Sequence, residues 1–111
     1  FYMHPNQEDN LLAASGGRMF YLVNMLWEQP FHIVRLESGG DILRIPPRTF
    51  HRSISDPGGS VVLNQAVRKP GVSLAHEFRV YNSARIPQLM AVTMSPAKPQ
   101  LHGVRPLPEA A

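Results

Sequence analysis

A chain of 111 residues with 43% apolar content has the length of one domain around one modest core. It contains no Cys, which excludes disulfide scaffolds, Cys-rich zinc sites and thiol nucleophiles. With no bilayer-length apolar run and no signal-peptide pattern, the expected location is the cytoplasm with no membrane partner; the net charge of +3 is spread over dispersed Arg and Lys, so no nucleic-acid partner is expected either.

In chain order, Asn10–Ala14 and Arg18–Asn24 read as two β runs joined at Ser15-Gly16-Gly17, a hairpin signal. Trp27-Glu28-Gln29-Pro30 reads as a loop and Phe31–Glu37 as a strand. Gly39-Gly40 marks a reversal, and Asp41–Ile45 follows as a short strand. Pro46-Pro47 cannot donate to a sheet ladder, so that strand ends there or lies at an edge. Phe50–Ser55 is the next strand, Asp56-Pro57-Gly58-Gly59 a turn, and Ser60–Arg68 the strongest β run in the chain. His76–Tyr81 alternates at period two, and Gln88–Met94 is a weaker strand. From Ser95 the spacing of Pro predicts an extended tail, giving a β domain over 1–95 and a Pro-rich tail over 96–111. Short strands at close spacing with Gly and Pro turns predict an all-β barrel or sandwich with no helix longer than about two turns.

Two stretches carry chemistry. In the second, Gly40 is followed by five residues, Pro46, four residues and His51. In the first, His4 is followed by four residues, Asp9, six residues and Gly16. Their order and spacing resemble the two signatures of the cupin superfamily, over residues 2–16 and 40–55. Three positions depart from that pattern: Tyr2 stands where the first His of a His-x-His pair is usual, Arg48 where Gly is commonest, and Ser55 where Asn is common.

The resemblance implies an antiparallel jelly-roll β-barrel; cupins usually carry strands before the first motif, so this sequence is expected to lack some N-terminal strands of the barrel. It also implies a divalent metal (Fe, Mn, Ni, Co or Zn) held on the inner wall by His4, Asp9 and His51. Two His and one carboxylate are the facial set of non-haem iron sites. Gln7 shares strand parity with Asp9 and is the expected fourth contact, whereas Glu8 is one residue off that parity. Tyr2 and Arg48 are the candidate substrate-binding residues, Arg48 because a guanidinium at the Pro-Pro-Arg corner suits a carboxylate or phosphate. His32, His76 and His102 have no motif support, and His102 in the tail is expected to be exposed.

The function that follows is a metal-dependent enzyme of dioxygenase or isomerase type acting on a small polar molecule. The alternative is a non-catalytic cupin that binds a sugar or organic acid, and the loss of the first His at Tyr2 moves weight toward it. A cupin module of a larger protein is a third reading. Uncovered sheet edges predict a homodimer. No phosphate loop, nucleophile elbow or Ser-His-Asp spacing is present.

Overall fold

The computed structural model describes residues 1–71, 79–80, 91 and 100–103. They are all-β. The strands are β1 (Tyr2–Met3), β2 (Gln7–Val23), β3 (Phe31–Glu37), β4 (Leu43–Ile45), β5 (Phe50–Arg68), β6 (Arg79–Val80) and β7 (Gln100–His102). The sheet runs β6-β1-β5-β2-β3-β7, with β4 also paired to β2.

β2 and β5 dominate the architecture. Each was expected as two strands and each is one continuous element, of 17 and 19 residues. They pair antiparallel from Gln7↔Arg68 to Val23↔Phe50, with register shifts between Ala13 and Ser15 and between Gly16 and Arg18. Neither Gly-containing segment turns the chain back. Instead Ser15-Gly16-Gly17 and Asp56–Gly59 lie opposite one another and form a shared corner. Gly16 has φ 68°, and a Cβ there would lie 2.2 Å from the Gly59 carbonyl oxygen, so no other residue fits without moving backbone. Arg35 closes the corner by pairing with Asp56 through both of its terminal nitrogens. Ser38 N–H donates to Gly16 C=O at 3.0 Å.

The corner divides the sheet into two halves. Before it, β2 pairs with β4 (Asp9↔Ile45) and with the far part of β5; beyond it, β2 pairs with β3 and the near part of β5. The bulges also change which residues point inward. Gln7, Asp9, Leu11 and Ala13 are buried before the corner, and Phe20 and Leu22 after it. The two halves face each other across one apolar cluster of Leu11, Ala13, Phe20, Leu22, Leu36 and Ile45.

The strand over Phe31–Glu37 has the expected bounds, β4 ends before Pro46 as expected, and β5 begins at Phe50. Two expectations need correction. β3 and β7 run parallel, so the sheet is mixed rather than wholly antiparallel; a strand that returns after a long connection is free to pair in either sense. The path among the described residues is also open, with β6 and β7 at its two ends, so these residues do not close a barrel. The tail expected from Ser95 is a strand at 100–102, because β3 offers it an edge. His102 accordingly is not free in solvent: it is half-buried and its Nε2 lies 2.8 Å from His32 Nδ1. His76 and nearly all of 88–94 lie outside the described residues.

Candidate metal centre

The site forms where the two halves meet. His51 is the second residue of β5, on the register line Leu22↔His51↔Tyr2. Asp9 projects from the opposite half of β2. His4 lies in the link between β1 and β2, where its carbonyl accepts a hydrogen bond from Arg48 N–H at 2.8 Å. One donor atom from each of His4, Asp9 and His51 lies within 4.8 Å of the others, and His4 and Asp9 are buried.

Asp9 is held from behind. Its Oδ1 accepts from Gln7 Nε2 at 2.6 Å and from Asn64 Nδ2 at 3.2 Å. Gln7 is itself fixed, since its Oε1 accepts from Arg68 Nε at 2.6 Å. With Oδ1 so engaged, Oδ2 faces the imidazoles, 3.2 Å from His4 Nε2 and 3.9 Å from His51 Nε2. The His4 and His51 rings are 5.0 Å apart.

His51 Nε2 is a buried polar atom with no hydrogen-bond partner among the described residues. Such an atom costs roughly 1–3 kcal/mol when left unsatisfied. Burial, followed by the repulsion of His4, pushes the His51 ring down to about 4, against the opposing pull of Asp9. The ring is therefore neutral at pH 7, with a lone pair available. A buried neutral imidazole, a second imidazole and a carboxylate with one oxygen clamped form a donor set that suits a borderline divalent cation.

The other expected residues divide. Gln7 has the inward parity expected of it, but both ends of its amide are occupied, and it orients Asp9. Tyr2 lies beside His51, with ring centroids 6.1 Å apart and planes inclined by 28°, and borders the same cavity. Arg48 contributes its backbone to His4, while its exposed side chain is not part of the cavity wall. It has φ 65° and is the one non-Gly residue among those described with positive φ, a conformation that Gly adopts without the steric cost an L side chain incurs.

The cavity measures about 510 Å³ and is bordered by Tyr2, His4, Asp9, His51, Arg18 and Asn64, over the apolar floor of Leu11 and Phe20. Asn64, Arg68 and Arg18 were missed in the sequence. Alternation along β5 places Asn64 on the Asp9 face once the bulge is known, but nothing in the sequence locates that bulge. A second cavity lies against Trp27, His32 and His102, with Leu22 in its lining.

No family model matches the chain, and no curated protein or solved structure matches it either.

Proposed function

We propose that this is a small cupin-type metalloprotein in which His4, Asp9 and His51 hold a divalent cation, and that it is an enzyme of dioxygenase or isomerase type acting on a small polar molecule. The observation that carries the reading is the convergence of these three side chains from separate parts of the fold, with one Asp9 oxygen clamped and His51 Nε2 buried without a hydrogen-bond partner among the described residues. The cation, when bound, supplies Lewis acidity beside an open cavity. The protein's own groups do the remainder. Gln7 and Asn64 aim Asp9, the Arg48 N–H fixes the backbone of His4, and Leu11 and Phe20 provide an apolar floor that limits water. Tyr2, half-exposed at the rim, is placed to give or take a hydrogen bond with a ligand.

Metal analysis of the purified protein tests this. One equivalent of divalent metal in the wild type and none in His51→Ala is the expected result. A wild type that takes up no metal after loading, yet binds a ligand in the cavity, supports a non-catalytic binding protein; Tyr2 in place of a fourth ligand favours that second reading.

The proposal includes a homodimer. Residues 61–68 of β5 pair only with β2 among the described residues, and Leu63 and Val67 are exposed beside that edge. Light scattering that shows a monomer at high concentration removes this element.

A further inference from the structure

Arg18 lies on β2 just beyond the corner and borders the same cavity as His4, Asp9 and His51. Its Nε donates to Ser53 Oγ at 2.6 Å, and Ser53 is on the His51 face of β5, two residues along. That bond fixes the guanidinium plane and leaves the two terminal nitrogens. Two other arginines with fixed side chains have the carboxylate partners that Arg18 lacks among the described residues. Arg35 pairs with Asp56 and Glu37, and Arg44 pairs with Glu8. Arg18 is partly buried and pairs with no carboxylate of the described chain. Arg52, also at the cavity, is turned outward over the rings of Phe1 and Tyr21. Asp9, the one carboxylate at the cavity among the described residues, has both oxygens directed at amides and imidazoles. A fixed fork of N–H donors, unpaired among the described residues and set in a cavity of small-molecule size, fits a carboxylate bidentately.

We infer that the ligand of this cavity is a small carboxylic acid, its carboxylate gripped by Arg18 and a second oxygen function turned toward His4, Asp9 and His51. A neutral sugar would leave the guanidinium without a counter-charge. The inference rests on the reading of this cavity as the ligand site, and it goes further in naming the ligand class.

The test is calorimetric titration of lactate, succinate and the neutral isostere lactamide into wild type, Arg18→Gln and Arg18→Lys, each with and without added Zn²⁺. Metal content and circular dichroism are measured on every sample. At least one acid is expected to bind wild type at least tenfold more tightly than lactamide binds. Arg18→Gln should lose about ten- to hundredfold in acid affinity while retaining metal and spectrum, as expected for loss of a charged hydrogen-bond pair; Arg18→Lys should fall between. Equal affinity for lactate and lactamide, an Arg18→Gln variant that binds acids as wild type does, or no binding of either acid at millimolar concentration overturns the inference. Arg18-dependent acid binding by a protein that takes up no metal leaves this inference standing and removes the metalloenzyme reading. Metal uptake with acid binding indifferent to Arg18 does the reverse.

Discussion

At the scale of single residues, the site depends on groups that never touch a ligand. Gln7 acts through Asp9, and partners of this kind typically contribute 10–100-fold to metal affinity. Gln7→Ala should therefore weaken metal retention by that order, measured by competition with a chelator, whereas His51→Ala should abolish it. Equal loss in the two variants would make Gln7 a ligand rather than a support. His51 also gives the metal-free protein an acid limb. Its folded value of about 4 lies below its ordinary 6.5, so between those values the unfolded chain binds more protons at this ring than the folded one. The associated stability is complete above about pH 6.5 and is lost as pH falls toward 4, on the order of 2–3 kcal/mol. Urea unfolding at pH 7 and pH 4.5 checks the sign: His51→Phe should lose less stability on acidification than the wild type does. Arg48 is a third case. Its left-handed backbone costs roughly 1–2 kcal/mol in a non-Gly residue, so Arg48→Gly should be neutral or stabilising in a thermal melt, with metal content unchanged.

At the scale of elements, the corner decides what the rest can do. Gly16→Ala should destabilise by about 3 kcal/mol, since it combines a left-handed backbone with a collision against the Gly59 carbonyl oxygen. Arg35→Ala should cost less, because the Arg35–Asp56 pair is partly exposed. Denaturant midpoints of the two variants rank these effects, and the reverse order would show that the ion pair rather than the glycine forms the corner. The corner also explains what the sequence made legible and what it hid. Phe31–Glu37 and the stop at Pro46 were readable because alternation and proline act locally. The joining of 10–14 with 18–24, and of 50–55 with 60–68, was not. Gly-rich segments signal a reversal and a bulge alike, and only the partner strand determines which one forms. The same ambiguity hid Asn64 and Arg18, whose inward direction follows from bulges that shift parity. His4, Asp9 and His51 were legible because motif spacing places them without any count through the corner.

At the scale of the whole molecule, β2 and β5 make one long antiparallel pair whose ends are unequal in sequence distance. Asn24 and Thr49, 25 residues apart, form a buried hydrogen bond beside its near end, while Gln7 and Arg68, 61 residues apart, meet at its far end. Loop-closure entropy favours the near end, so the chain should zip from Val23 and Phe50 outward. The clamp on Asp9 is then among the last contacts made and the first released. Amides of residues 8–12 should exchange with solvent faster than those of 19–23 in the metal-free protein, and added cation should slow the former selectively. Such a molecule assembles His51 on an early scaffold and completes its carboxylate ligand late, so the cation would act as a latch on the final turn of the zipper.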